Sequence, residues 1–179
     1  MKLDLTEIIT HVGMRLPYEI DEPPLVDEDL ECGDRIKGRI IFTNTSEALI
    51  IEGSVSTEVV VACSRCLEYY KEPVRVSIEE TFEVEARATG PRGRYQQTII
   101  EEDENPDSGK LFEGMLFDLS ELLRQGITLG LPSQPLHNVD CKGLCPHCGN
   151  NRNNLDCGCK SESGHPGFVG LKELLTEKE

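Results

Sequence analysis

The chain has 179 residues, with 33 acidic against 18 basic side chains, a net charge of −15, 5% aromatics and no Trp. That length suits one domain with a small appendage, and that charge argues against a general nucleic-acid binder, which needs Lys and Arg for phosphate contacts. No window of about 18 uninterrupted apolar residues occurs to span a membrane, and Asp4 and Glu7 sit where a signal peptide would be apolar.

The expected location is therefore the cytoplasm, where thiols stay reduced. Eight cysteines there read as metal ligands or redox groups before they read as disulfides.

Residues 19–31, EIDEPPLVDEDLE, carry seven acids, two prolines and no base, the composition of a solvated loop. From Ile36 the apolar period becomes two. Ile36, Ile40 and Phe42 form one half-buried strand, and Leu49, Ile51, Val55, Val59 and Val61 a second. Val74, Val76, Ile78, Phe82 and Val84 form a third. The NTSE turn at 44–47 makes the first two a hairpin. Residues 87–110 read as loop, a short strand at 96–100, and an acidic loop. DLSELLRQGITLGLP predicts a helix over 118–130: Asp118 caps it, Glu121 completes a capping-box spacing, and Leu119, Leu122, Leu123 and Ile127 form its buried stripe.

The predicted fold is mainly β (α+β): an antiparallel sheet or barrel-like sandwich with one packing helix and a zinc-stapled C-terminal segment. Residues 1–133 form the β domain, 134–160 the zinc-binding segment tied to the hairpin at 63–66, and 161–179 a tail with a short helix from Phe168 to Thr176. Charge is uneven along the chain: −14 over 1–133, zero over 134–167 and −1 over 168–179.

CKGLCPHCGNNRNNLDCGCK, 141–160, holds five cysteines, whereas a structural zinc takes four ligands. A second CxxC, Cys63-Ser64-Arg65-Cys66, falls between two strands. A redox CxxC wants a helix N-terminus to lower its attacking thiol's pKa, so the hairpin setting favours a zinc knuckle. Two sulfurs fill half a shell, and His137 with Cys141 supply the rest. One site is then Cys63, Cys66, His137 and Cys141. The other is Cys145, Cys148, Cys157 and Cys159, with Pro146 and Gly149 shaping its knuckle. The competing assignment is one ion held by four of the five clustered cysteines, with Cys63 and Cys66 idle. Cys32 reads as a small buried residue, and His147 as solvent-facing or outside the ligand set. Two structural zinc ions are the expected cofactors, because sulfur and imidazole suit zinc.

CSRCLE in a hairpin, FDLSELLRQGITLGLPSQPLH, CKGLCPHCGNN and CGC together resemble the YceD-like family of large ribosomal RNA subunit accumulation proteins, and the similarity runs through the C-terminal FVGLKELL. The resemblance implies a ribosome-biogenesis factor needed for accumulation of large-subunit ribosomal RNA, with precursor RNA or a pre-ribosomal particle as partner. The family is associated in bacteria with a large-subunit ribosomal protein encoded alongside it. Other members can carry Cys in place of His137, and some lack the downstream four-cysteine cluster, which marks that cluster as an embellishment.

RNA contact needs a local basic face. Arg35, Lys37 and Arg39 alternate along one strand, and Arg65, Lys142, Arg152 and Lys160 accompany the metal sites, where Asn150, Asn151, Asn153 and Asn154 offer hydrogen bonds. The alternative is an acidic module or chaperone for a basic ribosomal protein, steered by the acidic stretches 19–31 and 101–107. Catalysis is not expected: both ligand sets are full, and no GxSxG, P-loop or GxGxxG is present. Neither a membrane nor a small-molecule substrate is expected as partner.

Overall fold

A computed structural model describes residues 1–27, 30–89, 94–100 and 110–159, without the side chains of 86–89, 94–98 and 100. Two antiparallel sheets dominate. The larger is a five-stranded meander of β2 (Arg15–Glu22), β3 (Ile36–Asn44), β4 (Ala48–Ala62), β5 (Tyr69–Thr89) and β6 (Arg94–Ile100), paired in chain order. The smaller joins β1 (Lys2–Asp4), β8 (Leu116–Asp118) and β7 (Phe112–Glu113) in that order. Two helices, α1 (Thr6–Thr10) and α2 (Leu119–Gly130), complete the described elements. Mainly β with antiparallel pairing is thus what the chain builds, and the large sheet stays open, with β2 and β6 at its edges.

Alternation decides which face is inside. Ile36, Ile40, Phe42, Leu49, Ile51, Val55, Val59, Val74 and Ile78 are buried on the inner face, and Leu5, Ile8, Ile9, Phe117, Leu119, Leu122 and Ile127 cover them from the second layer. Aromatic edges stitch the layers: Phe42 to Phe117 at 5.6 Å between centroids, Phe117 to Phe112 at 5.0 Å, and Phe112 to Phe82 at 4.9 Å.

Several elements differ from the sequence reading. Residues 19–22 are not loop but the end of β2, because Leu16, Tyr18 and Ile20 turn inward while Glu19 and Asp21 stay on the exposed face. Each outward acid faces a β3 cation in register, Glu19 opposite Arg39 and Asp21 opposite Lys37. Residues 87–89 extend β5 and pair with Arg94–Gln96 of β6, so the third strand is longer than its apolar pattern. At Asp118 only half of the capping box forms. Its carboxylate accepts from Glu121 N at 3.3 Å, while the Glu121 side chain turns to Arg124 and Gln125. The acidic stretch 101–107, Lys160 and the short helix at 168–176 lie outside the described residues. No described helix is long and apolar enough to cross a membrane.

Candidate metal centres

The strand β4 ends at Ala62, and the chain turns at once through Cys63-Ser64-Arg65-Cys66 before β5 begins at Tyr69. Cys63 O accepts from Leu67 N at 2.9 Å and Cys63 N donates to Glu68 O at 2.9 Å. Leu67, just past the second sulfur, sits at φ 61°. The same construction recurs downstream. Cys145 O accepts from Gly149 N at 2.9 Å, Cys145 N donates to Asn150 O at 2.8 Å, and Gly149 has φ 72°. CSRCLE and CPHCGN are therefore one knuckle built twice.

Each knuckle aims backbone N–H groups at its first sulfur. Burial by itself would raise the Cys63 thiol, but the N–H groups of Cys66, Arg65 and His137, with the His137 side chain, bring it down to about 5. The N–H groups of Cys148 and His147 outweigh desolvation at Cys145 and lower it to about 6. Their neighbours move the other way. Burial and the adjoining Cys63 and Cys141 sulfurs push Cys66 up to about 11; hydrogen bonding to Cys148 and Cys157, with burial, raises Cys159 to about 12. Cys63 and Cys145 ionise readily, whereas Cys66 and Cys159 resist adding like charge beside them, so full ionisation calls for a cation in each group.

The structure brings the eight residues into two groups. Cys63, Cys66, His137 and Cys141 form one; Cys145, Cys148, Cys157 and Cys159 form the other; within each, the ligand atoms lie within 4.8 Å of one another. Sulfurs 2.3 Å from one ion at tetrahedral angles stand about 3.8 Å apart, and a sulfur and an imidazole nitrogen about 3.5 Å. Cys63 Sγ is 3.8 Å from Cys141 Sγ, and Cys66 Sγ is 3.4 Å from His137 Nδ1. The donor set and its spacing fit a tetrahedral ion. The first group is the inner one, with Cys63, Cys66 and Cys141 buried against Tyr70 and Leu136. The second is the outer one, with Cys148 and Cys159 exposed. His147 is exposed beside it, and Cys32 is buried in the sheet core beside Val59.

Arg65 latches the hairpin to the downstream segment. Its Nη1 donates to Val139 O at 3.1 Å and Cys141 O at 3.0 Å, and its own carbonyl accepts from Leu144 N at 3.0 Å. Gly143, at φ 71°, is the residue that passes this latch; a Cβ there would stand 3.0 Å from Arg65 O.

The cations singled out in the sequence fare differently. Arg35 is bound to Asp21 at 2.7 Å and Arg39 to Glu19 at 3.2 Å. Arg65 is engaged with carbonyls. The side-chain nitrogens of Lys37, Lys142 and Arg152 have no hydrogen bond or ion pair among the described residues, and neither has Arg75, which the sequence reading passed over. Arg75 lies on an exposed face with Ser56 opposite and Lys37 beyond, a cross-strand row that only the register reveals. Three of the asparagines bond to the protein around the inner group. Asn153 Nδ2 lies 3.3 Å from Cys141 Sγ, Asn154 Nδ2 donates to Glu68 Oε1 at 3.1 Å, and Asn151 Oδ1 accepts from Asn153 N at 2.9 Å.

Residues 51–175 match the family model described as large ribosomal RNA subunit accumulation protein YceD. The chain belongs to that family. An uncharacterized protein of Mycobacterium tuberculosis H37Rv, Rv2926c, is 30% identical over 170 residues, covering 92% of this chain and 68% of the relative. An uncharacterized protein of Mycobacterium leprae, ML1660, is 28% identical over 137 residues, covering 76% of this chain and 55% of the relative. No solved structure matches the chain. YceD membership ties this chain to accumulation of large-subunit ribosomal RNA, and its two Cys/His groups can hold metal ions.

Proposed function

We propose that the protein is a non-catalytic large-subunit assembly factor, stapled by two structural zinc ions, that meets precursor ribosomal RNA on the outer face of its five-stranded sheet. Residues 134–159 serve as the zinc-held segment and the sheet as the body that carries it. Thiolate and imidazole shells favour zinc, and four protein ligands leave no position for a reacting water. Metal binding then supplies the order that apolar packing supplies elsewhere.

The observation that carries the RNA contact is the row Lys37–Ser56–Arg75, in register across β3, β4 and β5. Neither cation's side chain is in a hydrogen bond or close salt bridge among the described residues, although Asp21 stands opposite Lys37. The next row, Arg39–Ser54–Ser77, adds a paired cation and two hydroxyls. Lys37, Arg39, Ser54, Ser56 and Arg75 line a shallow depression of about 540 Å³, with Glu19 and Asp21 at its β2 side. Lys, Arg and Ser are the side chains that hold phosphate oxygens. The acidic remainder of the chain repels RNA elsewhere, which restricts contact to this band.

A second reading is favoured by Glu52 and Glu79. They stand directly opposite each other on exposed β4 and β5 positions, where like charges repel and a basic protein would relieve them. Titration of the full-length zinc form with large-subunit RNA and with a basic large-subunit ribosomal protein separates the two. RNA binding that steepens at low salt and is lost in Lys37→Glu/Arg75→Glu supports the first. No RNA binding at low salt, with protein binding lost in Glu52→Gln/Glu79→Gln, replaces it with the second.

A further inference from the structure

We infer that the outer cluster controls metal affinity at the inner one through Asn153, a positioning residue that presents its amide N–H to the Cys141 sulfur. The inference rests on the reading that both clusters take a metal.

Asn153 lies in the stretch between Cys148 and Cys157, both of the outer group, yet its side chain reaches the inner group. Its orientation is settled by its partners: Oδ1 accepts from Lys142 N at 2.8 Å, which only an oxygen can do, so Nδ2 is the atom 3.3 Å from Cys141 Sγ. The rest of the stretch makes the same crossing. Arg152 N donates to Gly143 O at 2.9 Å, and Leu144 bridges Asn151. Asn154 holds Glu68 Oε1 at 3.1 Å, while Glu68 Oε2 lies 3.8 Å from Cys66 Sγ and Glu68 O accepts from Cys63 N. Residues 151–154 thus touch the surroundings of three of the four inner ligands.

An N–H aimed at a metal-bound thiolate orients the sulfur and stabilises its charge, and removing such a partner costs about ten- to hundred-fold in metal affinity. The stretch that supplies this donor has few apolar side chains to hold it: Leu155 is 59% exposed. A metal gripping Cys148 and Cys157 closes the stretch into a short loop and removes the entropy cost of presenting Asn153. Outer occupancy therefore raises inner affinity, and by linkage inner occupancy raises outer affinity.

The test uses the full chain with zinc and cobalt(II). Competitive chelator titration gives metal equivalents and affinities for wild type, Cys157→Ser and Asn153→Asp, with far-UV circular dichroism as the folding check. Asn153→Asp keeps an oxygen for Lys142 N but sets a carboxylate oxygen against the sulfur. It is expected to lower inner affinity about ten-fold or more and to shift the sulfur-to-cobalt charge-transfer band of the inner site. Asn153→Ser, which restores a short donor, is expected to recover part of the loss. Cys157→Ser is expected to abolish the outer equivalent and weaken the inner one. Two wild-type equivalents, with the inner one unchanged in both Cys157→Ser and Asn153→Asp, overturn the coupling while leaving the two-metal reading intact. Fewer than two in wild type overturns that reading as well.

Discussion

Leu67 and Gly149 occupy the same backbone position in two copies of one knuckle, at φ 61° and 72°. Glycine adopts that left-handed conformation without strain, whereas an L side chain costs roughly 1–2 kcal/mol. Leu67 is 61% exposed, so little packing offsets the cost. Leu67→Gly is therefore expected to raise the stability of the metal-loaded protein by up to about 1 kcal/mol, part of the gain being lost to a more flexible unfolded chain. Gly149→Val is expected to weaken metal retention at the outer cluster. Thermal melts and chelator competition on the two variants check both.

Asn44 is fully buried at the β3–β4 turn, and its Nδ2 donates to Ile8 O and Ile9 O, each at 2.8 Å. Those carbonyls close α1, which is too short to satisfy its own ends. Asn44→Leu is expected to cost about 1–3 kcal/mol, because it strands the buried Ile9 carbonyl and leaves Ile8 O with the His11 N–H alone. Urea denaturation with an unchanged slope and a lower midpoint is the expected result.

Gly38 and Gly53 sit on the inner faces of adjacent strands, where the chain of one presses on the other. A Cβ at Gly53 would lie 2.1 Å from Arg39 O, and one at Gly38 would lie 2.2 Å from Ser54 O. Neither contact can be accommodated without backbone displacement. Gly53→Ala is expected to destabilise the sheet by about 1–3 kcal/mol or more, whereas Gly114→Ala, in open space but at φ 66°, pays only the conformational cost. Paired denaturation curves distinguish the two.

Arg124 holds the Glu121 carboxylate through bonds of 2.8 and 2.6 Å and, with Gln125, keeps its pKa below the ordinary glutamate value of 4.5 despite partial burial. A depressed carboxylate pKa adds stability that is complete above the unfolded value and is lost as pH falls through the folded one. The wild-type advantage over Glu121→Gln is expected to be under about 1 kcal/mol near neutrality and to fade as pH falls below the ordinary glutamate value of 4.5. Stability curves of the two proteins from neutrality down through that value check the sign.

How much was legible in the sequence depended on the length over which a pattern repeats. β3, β4 and β5 announce themselves by period two, and α2 by its cap and stripe. β1 and α1, with three and five residues, are too short for a period to emerge. β2 was hidden by composition: its acids resemble a loop's, and only the neighbouring β3 cations make an acidic outer face tolerable. The two ligand groups followed from counting donors against a shell of four. The amide at Cys141 could not be found that way, since an asparagine near cysteines has no spacing that marks it as a donor to sulfur.

The sequence by itself determined the strand periods, the helix cap, the chemistry of the ligand atoms and the excess of negative charge, because these are properties of residue type and local order. Only the tertiary structure decided which charges cancel and which of the two ligand assignments left open by the sequence brings its atoms together. Cys66 and His137 are 71 residues apart in the chain and 3.4 Å apart in space, and Lys37 finds Arg75 across Ser56 only after two strand registers are fixed. Electrostatic pairing and coordination act over a few ångströms, so they answer to the fold and not to the order of residues along the chain.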